Sequence, residues 1–203
     1  MILYYVHDPM CSWCWGFRPT WEKIKNGLPA EVELKYLLGG LAPDSNEPMP
    51  KQMQEDISGY WRRIQQHIPG TQFNFDFWDK CEPKRSTYPS CRAVIAARVQ
   101  KPELELDMIN AIQHAYYMEA QNPSEDNALI MLAKGLGLDE KQFAIDLNAD
   151  STQQQLESEM LLGRRLGAQG FPSMILENEG RAQYLPLDYN DADKTLNVIK
   201  NMI

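Results

Sequence analysis

Cys11 and Cys14 enclose only Ser12 and Trp13, and a C-x-x-C pair supports two kinds of chemistry: half of a metal site, or reversible exchange with disulfides. A zinc centre needs a second C-x-x-C or a close pair of histidines. Here Cys81 and Cys91 have nine residues between them in another segment, and His7, His67 and His114 are solitary, so exchange is expected and metal is not. Exchange requires a thiolate as attacking group. At the first turn of a helix, unpaired N–H groups and the positive end of the dipole favour an anion, so the Cys11 thiol should ionise more readily than a free cysteine. Cys14, three residues on, lies on nearly the same helical face, within the roughly 4.4–6.8 Å between Cα atoms that a disulfide allows. Cys14 also heads an apolar stripe, which predicts a buried resolving thiol, with Cys11 at the exposed tip as nucleophile.

A second signal is Gly170-Phe171-Pro172-Ser173, directly ahead of the apolar run Met174 to Leu176. Proline is tolerated at the first position of a strand, and a cis bond there would turn the N–H and C=O of Phe171 outward to pair with an extended substrate. An ordinary turn has the same local sequence. Trp13, Trp15 and Phe171 could form an apolar rim around a substrate, although Trp15 could instead pack between lobes. His7, at a strand end beside the pair, is read as a proton-transfer aid or a local hydrogen-bond partner. Asp8, three residues before Cys11, would disfavour a thiolate if it came near. Cys91 shares a helical face with Tyr88 and Ile95, which suits a small core residue; a regulatory or resolving pair with Cys81, or a metal ligand, are the other readings.

Positioning these groups falls to a short list of elements. Ile2 to Val6 is a continuous apolar run stopped by His7-Asp8-Pro9, which predicts a buried strand delivering the chain to Cys11. From Cys14, Phe17, Trp21, Ile24 and Leu28 recur every three or four residues, a helix ending near Gly27 and Pro29, with Pro19 inside it predicting a kink. Glu31 to Leu38 alternates as a second strand closed by Gly39-Gly40. From about 48 to 167 the pattern turns helical: Met53, Ile57, Tyr60, Trp61, Ile64 and Ile68 mark one helix, and further helices are expected near 87–100, 103–119, 125–136, 139–147 and 152–166. Ser86-Thr87, Pro123-Ser124 and Ser151 read as helix starts. Phe73 to Trp78 alternates without a partner and is assigned to an aromatic loop. Ser173 to Leu176, a turn at Asn178-Glu179-Gly180, and Arg181 to Leu187 form a hairpin. Ala192, Leu196, Ile199 and Ile203 give a last helix, capped by Asp188 or Asp191. The expected architecture is α/β, a sheet flanked by helices from 1–45 and 167–203, with 46–166 inserted as a helical domain.

The chain has 203 residues, 43% hydrophobic and 24% charged, and a formal net charge of -8. Such an acidic balance argues against nucleic acid, whose affinity rests on clustered Lys and Arg. No window of about 20 apolar residues exists, so no membrane span is expected. Met1 leads straight into the first strand with no secretory pattern, which predicts a cytoplasmic protein. The residues carry no signal for an oligomeric state.

Asp8-Pro9-Met10-Cys11-Ser12-Trp13-Cys14-Trp15-Gly16, Pro19 five residues after Cys14, the helical insertion and Gly170-Phe171-Pro172-Ser173 together resemble the DsbA family, particularly its cytoplasmic FrnE-like branch. The resemblance spans essentially the whole chain. It implies a thioredoxin-like fold split by a helical domain between strand 2 and the C-terminal hairpin. It further implies Cys11 as nucleophile, Cys14 as resolver, and Ser12, Trp13, Phe171 and Pro172 at the substrate. Protein or low-molecular-weight thiols and disulfides would be the partners, with glutathione as a redox partner and no tightly bound cofactor. DsbA has a histidine between its cysteines where this chain has Ser12-Trp13, so a more reducing couple is expected. The resemblance extends to 2-hydroxychromene-2-carboxylate isomerase and kappa-class glutathione transferase, whose members carry Ser in place of Cys11. A non-catalytic protein adaptor, known in the FrnE-like branch, is the remaining reading.

Overall fold

The computed structural model describes residues 1–202; Ile203, assigned above to the last helix, lies outside the described residues. Four strands form one sheet in the order β2-β1-β3-β4: β1 Ile2–His7, β2 Glu33–Leu38, β3 Ser173–Asn178 and β4 Arg181–Leu185. β1 runs parallel to β2, with Tyr5 opposite Tyr36, and antiparallel to β3, with Tyr5 opposite Met174. β3 and β4 form the expected hairpin. β2 begins at Glu33 rather than Glu31, because the N–H of Val32 is drawn into a turn on the Pro29 carbonyl at 3.0 Å.

Alternation along β1 decides the layers. Leu3 and Tyr5 meet Phe17, Trp21 and Ile24 of α1 (Ser12–Asn26) and Leu196 and Ile199 of α9 (Ala192–Lys200). On the other face, Tyr4 and Val6 join Leu37 and Ile175 with Leu166 and Phe171 against them. Helix α8 (Asp150–Arg165) covers this second face: the N–H of Leu38 donates to Glu159 Oε2 at 2.9 Å, and a Cβ on Gly163 would lie 3.2 Å from Val6. Helix α8 thus lies between the sheet and the rest of the insertion, since its Leu156 and Met160 join the cluster around α4.

The rest of the insertion comprises α2 (Lys51–His67), the single turn α3 (Phe77–Lys80), α4 (Tyr88–Gln100), a 3₁₀ turn (Pro102–Leu104), α5 (Glu105–Tyr117), α6 (Asp126–Gly135) and α7 (Glu140–Leu147). Every residue from Pro89 to Ala97 is buried, so α4 is the central rod, its small Ala93, Ala96 and Ala97 letting neighbours close in. Arg98 pairs with Glu105 at 2.7 Å and with Glu159, tying α4 to α5 and α8.

Three predicted helix starts differ. Helix α6 begins after Glu125 and α8 after Ala149, and no serine caps them; the Ser124 hydroxyl donates to the Ser86 carbonyl at 2.6 Å and Ser151 lies within α8. Thr87 stands at the α4 cap position, but its hydroxyl bonds Asp8 at 2.7 Å. Tertiary partners have taken the Ser124 and Thr87 hydroxyls from the helix ends. Asp139 and Asp191 do cap, accepting from Lys141, Gln142 and Asp193 N–H groups. The aromatic stretch 73–78 is a loop that turns into α3 at Phe77. Its alternation reflects packing on the buried Trp61, whose ring stacks on Phe73 at 4.9 Å and tilts against Phe77 at 6.0 Å.

Candidate active site

β1 ends at His7, and four residues later Cys11 occupies the N-cap of α1, its carbonyl accepting from Trp15 N–H at 3.0 Å. The sulfur therefore lies at the amino end of a 15-residue helix. Across from it, the Phe171–Pro172 peptide bond is cis, and the Cys11 thiol donates to the Phe171 carbonyl at 3.4 Å. The two signals lie 160 positions apart in sequence and meet because β1 and β3 are neighbours. Phe171 in turn rests on bare backbone, since a Cβ on Gly39 would come within 2.0 Å of its ring.

Cys11 was expected at an exposed tip and is instead only 6% exposed. It is recessed in a groove of about 260 Å³ whose walls include Ser12, Trp13, Tyr60, Arg63, Arg85 and Phe171. The recess arises because α2 and the segment before α4 rise beside the helix end. Cys14, one turn deeper, is 2% exposed, and burial, reinforced by the hydrogen bond and charge of Cys11, pushes its thiol well above the ordinary thiol range. All four cysteines are free thiols.

Trp13 is half-buried, its ring 5.9 Å from His67 and 5.1 Å from Tyr189. Trp15 belongs to the packing between lobes: it stacks on Tyr117 at 5.4 Å and donates to the Gln72 carbonyl at 2.9 Å. Where α1 meets α2, Gly16 leaves the space, because a Cβ there would approach Ile64 and Ile68 to 2.8 Å. His7 is 1% exposed, lies against Tyr5 and Tyr36, and burial lowers its pKa to about 3, so it is a neutral ring in a packed wall. Among the described residues, its Nε2 has no hydrogen-bond partner. His7 lines, with Cys14, Tyr36 and Gln113, a separate cavity of about 400 Å³ behind the resolving position.

Asp8 is fully buried and its carboxylate is committed: one oxygen accepts from Met10 N–H at 2.8 Å, the other from Leu41 N–H and the Thr87 hydroxyl, each at 2.7 Å. The Cys91 thiol donates to the same oxygen at 3.5 Å. Burial raises the Asp8 pKa and these donors oppose the rise. Cys91 is thus a core thiol of α4, held well above the ordinary range by burial and by the Asp8 charge. Cys81 lies in the separate aromatic cluster, donating to the Ala120 carbonyl at 3.0 Å. Among the described residues, no three His, Cys, Asp or Glu side chains gather as a metal site would require, and no helix is long and apolar enough to cross a membrane.

Sequence reasoning missed Tyr60, Arg63, Arg85 and the Asp8 network. Tyr60 was assigned to the buried stripe of α2 but is 46% exposed; its spacing from Arg63 places both on one face, a signal that was available. Nothing local marks Arg85.

A fold of this topology with a cysteine pair at a helix start facing a proline loop defines a thioredoxin-like protein, and comparison with known proteins agrees. The thioredoxin family profile matches residues 4–187, and the chain belongs to that family. Its structural neighbours include DsbA-family oxidoreductases and a 2-hydroxychromene-2-carboxylate isomerase, which at 16% identity shares the fold. A Nitrosomonas europaea protein provisionally described as a protein disulfide isomerase is 27% identical, with a TM-score of 0.84 over 98% of this chain and 96% of the other. The cytosolic disulfide reductase DsbM of Pseudomonas aeruginosa, solved also with GSH, is 26% identical with a TM-score of 0.77 over 100% and 98%. Among curated proteins, the ClpXP adapter protein SpxH of Halalkalibacterium halodurans is 25% identical over 87% of this chain, which spans 58% of that relative's length.

Proposed function

We propose that this protein is a thiol-disulfide oxidoreductase that acts on protein or small-molecule disulfides through Cys11 and Cys14. The observation that carries the reading is the Cys11 sulfur at the amino end of α1, 3.4 Å from the Phe171 carbonyl, with Cys14 one turn deeper. In the reducing direction, the Cys11 thiolate attacks a substrate disulfide, forming a mixed disulfide and expelling one substrate thiolate. Cys14 then gives up its proton and attacks the Cys11 sulfur; the mixed disulfide breaks and the second substrate thiol leaves. Two electrons pass to the substrate and the Cys11–Cys14 disulfide forms. Phe171 offers its backbone to an extended substrate, Pro172 fixes that loop, and Ser12 and Trp13 form the wall beside the sulfur. His7 and Trp15 act as packing, and Asp8 as a buried brace. Glutathione is proposed as a redox partner, a reading supported by the GSH-bound structure of DsbM, and the cytosol as the compartment.

Insulin reduction by the wild type, compared with Cys11→Ser, tests the proposal. Turnover that falls to background in the variant is expected; turnover that persists would contradict it. The ClpXP adapter relatives favour a second reading, partner presentation without catalysis, and for that reading the wild type itself would show no turnover.

A further inference from the structure

The groove over Cys11 carries a charge opposite to that of the molecule. The chain has 28 acidic and 20 basic side chains, yet no Asp or Glu lines this groove, whereas Arg63 and Arg85 both do. Both arginines are exposed, and neither has a carboxylate within ion-pairing distance among the described residues. Their neighbours behave differently: Lys84, adjacent to Arg85, is paired with Glu125 at 2.7 Å, and Arg92 is clamped on Asp44 at 2.8 Å. Arg63 reaches the groove from α2, its guanidinium 5.7 Å from the Tyr60 ring centroid, and Arg85 from the segment before α4. A second hollow, lined by Leu41 and Phe171 in common with the first, holds Arg164 and again no acidic residue. A disulfide presenting its sulfur to Cys11 would thus set its flanking residues against unpaired guanidinium groups.

We infer that Arg63 and Arg85 select disulfides whose cysteine is flanked by carboxylates, so that the preferred substrate is an acidic peptidic disulfide. The inference rests on the proposed exchange reaction and names its substrate class. Guanidinium groups at the mouth of the groove attract such a substrate before covalent attack, which raises the encounter rate and makes the preference sensitive to salt. Exchange itself is unchanged: the peptide disulfide is cleaved to two peptide thiols as the reduced Cys11–Cys14 pair supplies two electrons and closes its own disulfide.

The test uses pre-reduced protein in single turnover with the symmetric disulfides of three end-capped peptides, Glu-Cys-Glu, Gln-Cys-Gln and Lys-Cys-Lys. At low salt the acidic peptide should react about tenfold faster than the neutral one, and the basic peptide slowest, with the differences shrinking at high salt. Arg63→Gln with Arg85→Gln should abolish the acidic preference, the ratio of acidic to neutral rates falling to about one whatever the absolute rate. Arg181→Gln, on β4 away from the groove, should leave the preference intact. Equal rates for acidic and neutral peptides, or a preference that survives in the double variant, would overturn the inference and leave exchange standing. If even the neutral peptide fails to react, the exchange reading fails, and this one with it.

Discussion

The two cysteines of one helical turn face opposite worlds. In front of Cys11 lies a groove with half-exposed aromatic rings, two arginines without ion-pair partners among the described residues, and the Phe171 carbonyl that accepts from the Cys11 thiol. Behind Cys14 lies a cavity walled by α1, β1, β2 and α5, with a neutral histidine packed between tyrosines. In front the sulfur of Cys11 meets a groove, whereas behind it Cys14 and His7 are buried beneath a cavity edged by Arg18, Glu22, Lys25 and Asp107, and three residues of helix suffice to separate the two. The lesson is that the motif supplies only the sulfurs, whereas their roles come from the elements on either side. Asp8 links the two: it sits at the end of β1, braces the turn into Cys11 through Met10, and anchors Leu41 and Thr87.

The largest expected contrast comes from acid. His7 has a folded pKa near 3 against an unfolded value of 6.5, so between these the unfolded chain binds more protons and stability falls as pH drops. The loss should reach on the order of 4 kcal/mol toward pH 3, and His7→Phe should flatten it, as read by denaturant midpoints across pH. Asp8 works in the opposite sense: its raised pKa lends stability at low pH that fades as pH rises through the unfolded value of 3.8 and above. The wild-type and His7→Phe profiles share this contribution, so their difference isolates the histidine. If the two profiles run parallel, the back wall is not what burial makes it.

Next in size is Asp8→Ala. It leaves the Met10 and Leu41 N–H groups without their acceptor and the Thr87 hydroxyl with only the Ala42 carbonyl at 3.4 Å, and should cost about 2–4 kcal/mol by urea denaturation. The front of the site should suffer with the back, because the turn into Cys11 loses its brace; unchanged exchange kinetics in the variant would separate the two regions more sharply than the structure does. A smaller effect, about 1–2 kcal/mol, is expected for Gly39→Ala, whose methyl group collides with the Phe171 ring. Here the front alone should respond, with a drop in exchange rate while the acid profile of His7 persists.

Much of this was legible in the sequence, and the boundary of legibility is physical. The apolar run of β1, the stripe of α1 and the helical periods of the insertion are local patterns, and each produced its element within two residues or so. Cys11 and Cys14 are recognisable at a helix start, whereas Phe171-Pro172 could be set opposite them only through the resemblance to the DsbA family, because a proline before a strand reads equally as an ordinary turn. Apart from Met10, the partners of Asp8 stand 33, 79 and 83 positions away, and nothing in the residues around it announces them. Likewise Ser124 and Thr87 were candidate caps because a hydroxyl before an apolar period favours one, but competing tertiary acceptors are invisible from the chain. The recess of Cys11 was missed for the same reason: α2 and Arg85 reach it through folding, not through spacing.

The measurement that bears most directly on the division of roles is a redox titration with mass mapping of the oxidised protein. The account predicts a single reversible two-electron transition that links Cys11 to Cys14 and leaves Cys81 and Cys91 as thiols, the half-buried Cys81 alkylated in the folded protein and the buried Cys91 only after unfolding. A first-formed bond between any other pair, or a Cys11 that never joins Cys14 under oxidant, would contradict it.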